Sequence, residues 1–383
     1  MNNSYIEKLY NVIDLMKENH PCINIKYSKL ETQKIIDNYL TKYKLDDEYS
    51  FFYITNSIIK KLLEPYDSHT NLKPLDNINN LWFPFSCIMI NNYPYIKFTS
   101  KEFRKYRNYK IKKINDVDIE MILKEMSEYI LSNNESWLNW MIEIYLSSLF
   151  YLKCLPSLRK MGNIIILSLE KNNKIIELEL DINKVKDQHL EIDTNVKNYS
   201  YEFLKNDTIM IHFTRCIDKD NKMSNLIKIL KENENNINWY ILDLRNNSGG
   251  NSDIFMPLFD FLKNKKTITL VNYRVFSGGI WAAQYMSDIG SIIIGEEVGD
   301  TINNFADKHF FDIDNNFRLD ISCKFFYFDN HKFNMVVGKN EFNRFYKNEN
   351  NKKWLSPCNL KIDYKIDKDM NNYIDLINQI IDN

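Results

Sequence analysis

The chain has 383 residues, of which 44% are hydrophobic and 14% aromatic, so it can bury a large core and is too long for one small domain. Its 50 basic and 51 acidic side chains almost balance, which argues against a nucleic-acid partner. The 6 cysteines are scattered without the spacing of a metal site or a disulfide framework, and no apolar run is long enough to span a membrane. We therefore expect a globular protein that needs no metal or other cofactor and no membrane.

The first third of the sequence has the pattern of helices. Apolar residues recur at three- and four-residue spacing from Ile6 to Met16, and again from Ile54 to Leu62. Pro65 ends the second helix, because proline disfavours a helical conformation in the residue before it. We expect an N-terminal helical region over residues 1–75. The polar start of the chain shows no signal peptide, so we expect a cytoplasmic protein unless a leader precedes this sequence.

A β-rich middle module is predicted over residues 76–200. Strand patterns lie at Leu81–Phe98, Asn163–Glu170 and Lys174–Asp181. The segment Lys113–Ile119, with Asn-Asp at its centre, predicts a strand, a tight turn and the start of a helix.

From about residue 207 the pattern changes to short apolar runs separated by helical segments. The runs are Thr208–Phe213, Trp239–Leu244, Ile268–Tyr273 and Ser291–Ile294. Such runs are typical of a sheet that is buried on both faces, so we expect an α/β core over residues 201–383. The second and third runs should be neighbouring strands. The whole chain is thus predicted to be a multi-domain α+β protein.

Glycine is rare in this sequence and is concentrated in one region. Of 9 glycines, 7 lie between Gly249 and Gly299, and they include the adjacent pairs Gly249-Gly250 and Gly278-Gly279. Each pair follows a predicted strand, where glycine permits unusual backbone angles and a close approach to a ligand. Ordinary tight turns would explain either pair alone. Together, the two pairs indicate amide donors that converge on one oxygen, as in an oxyanion hole.

The residues around these pairs resemble peptidase family S41, the tail-specific or C-terminal-processing proteases. Trp239–Asn251 is similar to the family's hydrophobic strand followed by D-L-R-x-N-x-G-G, and Leu270–Gly279 resembles the strand and elbow that carry its nucleophilic serine. Ile292–Glu296 is similar to the family's "V-G-E" strand end. Asp67–Thr70 resembles the D-x-H-T loop of one branch.

The resemblance extends through most of the chain. Lys113–Ile119 is similar to the turn of a PDZ-like module, and the tail from Leu355 to Asp369 resembles the family's closing strand and last helix. It implies a PDZ-like middle module and a protease core of the ClpP/crotonase-like type.

The resemblance implies a serine-type peptidase with Ser277 as nucleophile. Two departures matter: Ile280 replaces an acidic residue, and Asp300–Asn304 lacks the lysine of the Ser-Lys branch. A base must then come from elsewhere, and His69 is the best-placed candidate because a serine hydroxyl needs an adjacent base.

The remaining roles at the site follow from this choice. The oxyanion would be held by the amides of Gly278 and of Gly250 or Gly249, whereas the residue that orients His69 stays open between Glu296 and Asp307. Other residues are interpreted as structural or surface groups: the histidines His20, His189, His212, His309 and His331, and the pair Asp243 and Arg245, which is expected to brace the first Gly-Gly turn.

Two functions remain open at this point. The first is a serine endopeptidase that hydrolyses unstructured or C-terminal segments of a peptide or unfolded protein. The second is a catalytically weak or inactive relative that binds peptides; an acyl-CoA enzyme with a similar core is a weaker third idea, because it does not explain the D-x-H-T loop. The sequence specifies neither the substrate nor the oligomeric state.

Overall fold

A computed structural model of the chain describes residues 3–184, 197–366 and 373–382. His189 and the tail segment Asp367–Asp369 lie outside these residues. The described chain is a mixed α+β structure with three sheets, which confirms the predicted fold class. None of the helices in the described ranges is long and apolar enough to cross a membrane.

Four helices open the chain, and the first and fourth contain the two segments with helical apolar spacing. They are α1 (Asn3–Asn19), α2 (Ile23–Lys26), α3 (Lys29–Lys42) and α4 (Glu48–Leu63). Helix α4 is buried along most of its length, and its first turn is fixed by a capping box in which Asp47 and Ser50 exchange hydrogen bonds. It ends two residues before Pro65, and the loop that follows carries His69.

The middle of the chain forms an antiparallel sheet with three helices. Its elements are β2 (Phe85–Ile90), β3 (Tyr93–Thr99), β4 (Lys110–Ile114), β5 (Val117–Asp118), α5 (Ile119–Tyr129), α6 (Glu135–Tyr145), α7 (Leu149–Cys154), β6 (Ile164–Lys171) and β7 (Lys174–Asp181). The strand order is β2-β3-β4-β6-β7, and β5 pairs with β4. Asn115 and Asp116 take positive φ angles of 47° and 64° between β4 and β5, which confirms the predicted tight turn.

The second sheet contains the predicted apolar strands. Its elements are β8 (Ser200–Leu204), β9 (Thr208–His212), α8 (Lys222–Glu232), β10 (Trp239–Asp243), α9 (Met256–Leu262), β11 (Lys266–Val271), α10 (Gly278–Asp288), β12 (Ile292–Gly295), β16 (Tyr364–Lys365) and α12 (Tyr373–Asp382). The strand order is β16-β12-β11-β10-β9-β8, and β9 to β12 run parallel. Strand β10 pairs with β11 from Trp239↔Lys266 to Asp243↔Leu270, so the two expected neighbours are confirmed.

The third sheet was not predicted from the sequence. Strands β13 (Asn304–Asp312), β14 (Phe317–Asp329) and β15 (Lys332–Val337) form an antiparallel meander, β1 (Asn71–Pro74) pairs with the start of β14, and α11 (Gly338–Lys347) follows β15. One face of β14 buries Phe317, Leu319 and Ile321.

Two large groups of buried side chains organise these elements. The first joins the N-terminal helices, the middle sheet and the β13–β14 strands; the second surrounds one face of the parallel sheet, and a smaller group that includes Ile377 of α12 covers the other. His69 lies in the loop after α4, a helix that packs in the first group. Ser277 lies between β11 and α10, which belong to the layer of the parallel sheet. The division of the chain at residues 75 and 200 stays a prediction.

Candidate active site

Ser277 lies in a sharp turn between β11 and α10. Its φ and ψ angles are 52° and −128°, a positive φ that serine rarely adopts. The turn is held from both sides, because Phe276 N–H donates to Asn247 O and Ile280 N–H donates to Ser277 O. A residue whose backbone is held in such a conformation by its surroundings is typical of a functional position. Ser277 is a partly exposed residue directly before helix α10.

The Gly249-Gly250 turn packs directly against this elbow. A Cβ atom on Gly249 would lie 2.8 Å from Ser277 Cβ, one on Gly250 would lie 2.4 Å from Cys216 O, and one on Gly278 would lie 2.7 Å from Gly250 O. These three positions therefore accept only glycine. The two glycine pairs that stand out in the sequence are in contact in the structure.

The hydrogen bonds of the turn separate the two candidate oxyanion donors. Gly249 N–H donates to Asn247 Oδ1 at 2.9 Å, so its proton is already used. Within the described chain, no hydrogen bond is formed by the amide protons of Gly250 and Gly278. These two adjacent amides remain available to an incoming oxygen.

The D-x-H-T loop is fixed by Asp67, which is fully buried. Its Oδ1 accepts hydrogen bonds from the backbone N–H groups of His69 (2.7 Å) and Thr70 (3.1 Å) and from Ser322 Oγ (3.1 Å). Its Oδ2 lies 3.1 Å from His20 Nε2. Thr70 Oγ1 in turn accepts from Ser322 N–H. Asp67 thus shapes the loop, and His20, which we interpreted as structural, helps to hold it.

The imidazole of His69 packs on Phe276, the residue before Ser277. The two ring centroids are 4.5 Å apart, and the other face of Phe276 stacks on Trp137 at 3.7 Å. His69 is buried, and its Nε2 has no hydrogen-bond partner among the described residues. Burial lowers the pKa of His69 to about 4, so the ring is neutral at pH 7. The result is a neutral imidazole with one unpartnered nitrogen beside the turn that carries Ser277.

A carboxylate that the sequence analysis missed stands behind His69. Asp300 Oδ2 lies 3.9 Å from His69 Nδ1, and Ser68 Oγ lies between the two residues, donating to Asp300 Oδ1 at 3.2 Å and lying 3.5 Å from His69 Nδ1. Asn133, Asn304 and the Thr301 backbone also donate to Asp300. Burial raises the pKa of Asp300 to about 7. The sequence offered one clue to this carboxylate, because Asp300 is the first residue of the stretch that lacks the lysine of the Ser-Lys branch.

The two carboxylates proposed from the sequence lie elsewhere. Asp307 is half-exposed and pairs with Lys324 at 2.6 Å, and it influences His69 only as a nearby charge that raises the histidine pKa. Glu296 lies beside Arg245 and Tyr373, and its charge raises the pKa values of both. Asp300 is the carboxylate that approaches a ring nitrogen of His69 within 4.0 Å.

Asp243 and Arg245 form the pair that the sequence suggested. Arg245 Nε and one of its terminal nitrogens each donate to the Asp243 carboxylate at 2.8 Å, and His212 Nδ1 lies 3.1 Å from it. Next to this pair, the buried Asn247 side chain holds the turn by accepting from Gly249 N–H and donating to Phe213 O. No cluster of metal-binding side chains occurs in the described ranges.

A family model for peptidase family S41 matches residues 207–296, which include the Gly249-Gly250 turn and the turn that carries Ser277. The two glycine pairs thus lie in a segment of the peptidase S41 type. No curated protein matches the sequence.

The fold of the chain is similar to that of two solved structures. Mature CPAF is similar over 98% of this chain and 96% of its own, with 8% identity and a TM-score of 0.63. Mature CPAF complexed with lactacystin matches over 83% of this chain and 89% of its own, with 9% identity and a TM-score of 0.56. This likeness concerns the fold, and it extends well beyond the residues that the family model matches.

Proposed function

We propose that this protein is a serine endopeptidase in which Ser277 is the nucleophile and His69 the general base. The match of residues 207–296 to the peptidase S41 family supports a serine-type peptidase that acts on peptides or proteins. The observation that carries the assignment of roles is the free Nε2 of a buried, neutral His69 packed on the residue before Ser277. A base needs such an unprotonated nitrogen.

The reaction would run through an acyl-enzyme. Ser277 Oγ attacks the carbonyl carbon of a peptide bond while its proton passes to His69 Nε2. The carbonyl oxygen becomes an oxyanion, which the Gly250 and Gly278 amides stabilise. When the C–N bond breaks, His69 returns the proton to the leaving amine. Water then attacks the ester by the same route and releases a carboxylate.

Asp300 and Ser68 would position His69 during these steps. Since Ser68 Oγ–H donates to Asp300, its oxygen is left to accept from His69 Nδ1–H, and this fixes the tautomer whose Nε2 is unprotonated. The imidazolium formed during attack would lie 3.9 Å from the Asp300 carboxylate. This attraction opposes the burial that otherwise disfavours a charged His69.

The two departures from the family pattern are compatible with catalysis. Ile280 is fully buried in the hydrophobic core beside the parallel sheet. Its side chain has a packing role there, which needs no charge. The missing lysine is replaced in its stretch of sequence by Asp300, which serves a histidine base. The non-catalytic alternative therefore gains no support from either departure.

An extended peptide segment would suit the surroundings of the elbow. Arg274, three residues before Ser277, forms part of the wall of a cavity of about 370 Å³ that is lined by aromatic residues of the middle module. These aromatic residues are Trp82, Phe83, Phe85, Phe98 and Trp140. An unstructured or C-terminal segment could place an apolar side chain there, and this supports the substrate class that the family resemblance implies.

Labelling with a fluorophosphonate probe tests the proposal, because such probes react with activated serines. Native protein should be labelled, Ser277→Ala should not be labelled at all, and His69→Ala should react at a rate lower by several orders of magnitude. Ser252→Ala is the matched control, since it removes a serine outside the elbow. Absence of labelling in folded protein would refute the peptidase proposal, whereas unchanged labelling of His69→Ala would refute only the choice of base.

A further inference from the structure

Three cations surround one buried carboxylate on the polar face of the third sheet. Asp320 is fully buried, and its oxygens lie 2.8 Å from Lys73 Nζ, 3.2 Å from Lys308 Nζ and 2.9 Å from Arg318 Nε. The three side chains come from three adjacent strands, β1, β13 and β14. We call these four residues the Asp320 cluster.

The charges of the Asp320 cluster do not balance. One carboxylate is shared by three cations, so the cluster carries two excess positive charges. Lys73 and Arg318 are also direct cross-strand partners, an arrangement in which like charges repel. A further carboxylate, that of the exposed Asp312, lies opposite Arg318 in the strand register. Asp312 and Arg318 form no ion pair in the described chain. An additional anion would relieve this repulsion.

The cations remain accessible to such an anion. Their side chains are 38% (Lys73), 28% (Lys308) and 38% (Arg318) exposed, while the opposite face of the sheet is closed by the apolar core. Phe310, 58% exposed, lies on the same face, with the Arg318 guanidinium 4.9 Å from its ring. The cluster therefore presents a cationic surface with an aromatic edge.

The cluster lies next to the D-x-H-T loop. Strand β1 begins two residues after His69 and carries Lys73, and the β14 residue two positions after Asp320 is Ser322, which bonds Asp67 and Thr70. After burial and the opposing charge of Asp67, the charges of Lys308 and Lys73 are the next largest influences on the pKa of His69, and both lower it. A group bound at the cluster would thus lie beside the proposed base.

We propose that Lys73, Lys308 and Arg318 form an anion subsite that binds a carboxylate of the peptide substrate. The carboxylate belongs to an acidic side chain near the scissile bond or to the peptide's own C-terminus. This inference rests on the proposed function, because it places a peptide substrate beside the loop that carries His69. It assigns the peptidase a preference for acidic segments, which neither the family nor the fold specifies.

Peptide binding to Ser277→Ala tests the subsite without catalysis. Fluorescent decapeptides would be compared in which one position carries Glu or Gln, scanned along the sequence, each with a free or an amidated C-terminus. A Glu peptide, or a free C-terminus, should bind more tightly than its neutral partner by about two- to fivefold for each cation it engages. Because the cations are partly exposed, this advantage should shrink at about 0.5 M salt.

Charge-removing variants locate the effect. Added to Ser277→Ala, each of Lys73→Gln, Lys308→Gln and Arg318→Gln should reduce the advantage of the acidic peptide by about two- to fivefold. Lys332→Gln, which removes an exposed charge from β15 opposite Asp329 at the other end of β14, should leave the advantage unchanged. The Glu scan and the amidated peptides show which source of carboxylate is bound.

Several outcomes would overturn the subsite. They are equal binding of Glu and Gln peptides with free and amidated ends, absence of any peptide binding, and an equal effect of Lys332→Gln and the three cluster variants. Probe labelling of the native serine is independent of these results. If the protein is labelled but binds acidic and neutral peptides equally, the subsite proposal is wrong and the peptidase proposal stands. If the protein is not labelled but still prefers acidic peptides, the peptidase proposal is wrong and the subsite proposal stands.

Discussion

Replacing Asp300 by asparagine should reduce activity and increase stability at alkaline pH. The variant keeps the size of the side chain and removes the charge that lies 3.9 Å from His69 Nδ1. At this separation two unit charges interact by about 4 kcal/mol at an effective dielectric constant of about 20. Losing that attraction to the imidazolium should slow the labelling of Ser277 roughly a thousandfold at pH 8.

The pH dependence of wild-type labelling should show the same carboxyl. Because the folded-state pKa of Asp300 is about 7, its charge is present above this pH, and the labelling rate should rise between about pH 6 and 8. Asp300→Asn should lack this rise. The stability of the wild-type protein should instead fall as the pH rises. Folding raises the pKa of Asp300 from 3.8, so this carboxyl loses its proton at a lower pH in the unfolded chain than in the folded one. The free energy of unfolding should therefore fall between about pH 4 and 7, by at most about 4 kcal/mol.

The assay combines two measurements on the same samples. Labelling rates across pH 5–9 report activation of Ser277, and thermal melts across the same range report stability. A slower variant that melts higher above pH 7 cannot owe its loss to misfolding. Asp307→Asn is the matched control: its half-exposed carboxylate pairs with Lys324, so the variant should show neither the thousandfold slower labelling nor the higher melting temperature above pH 7. The positioning role of Asp300 would be refuted if Asp300→Asn were labelled at the wild-type rate, or if its labelling rate still rose near pH 7.

Three further substitutions test the elbow and the loop. Gly250→Ala should abolish labelling, because its Cβ would lie 2.4 Å from Cys216 O, whereas Gly290→Ala, also at positive φ but in open space, should cost only about 1–2 kcal/mol in a thermal melt and keep the activity. Asn247→Ala should lower the free energy of unfolding by about 1–3 kcal/mol in urea titrations, since Gly249 N–H and Phe213 O lose their buried partner. Ser68→Ala should slow labelling less than Asp300→Asn, as the carboxylate remains in place; equal losses would show that the hydroxyl, and not the charge, positions His69.

Local signals in the sequence predicted much of the fold. The runs that became β9 to β12 are apolar enough to lie inside a sheet, and the scarcity of glycine made the pairs at Gly249 and Gly278 conspicuous. The sheet of β13, β14 and β15 was missed although Phe317–Ser322 alternates apolar and polar residues, which is the pattern of a strand with one buried face. The polar face of this sheet carries Lys308, Arg318 and Asp320. These charges are stable there only through one another, and cross-strand pairing is invisible along the chain.

The residue behind His69 could not be predicted for a related reason. Asp300 is polar and was read as part of a stretch that lacks a lysine, and only the fold brings it to Ser68, 232 positions earlier in the chain. Its pKa depends on burial, which no local pattern encodes. Asp300 lies between the two candidates Glu296 and Asp307 in the sequence, so position along the chain could not separate the three carboxylates.

The bond between Ser322 and the D-x-H-T loop has a consequence for synthesis of the protein. Asp67 accepts from the hydroxyl of Ser322, 255 positions further along the chain and beyond the proposed nucleophile. While the chain is still emerging from the ribosome, Ser277 is therefore made before the strand that helps to hold the loop of His69. If the proposed roles are correct, we expect no proteolysis by a nascent chain in which Ser322 has not yet been made.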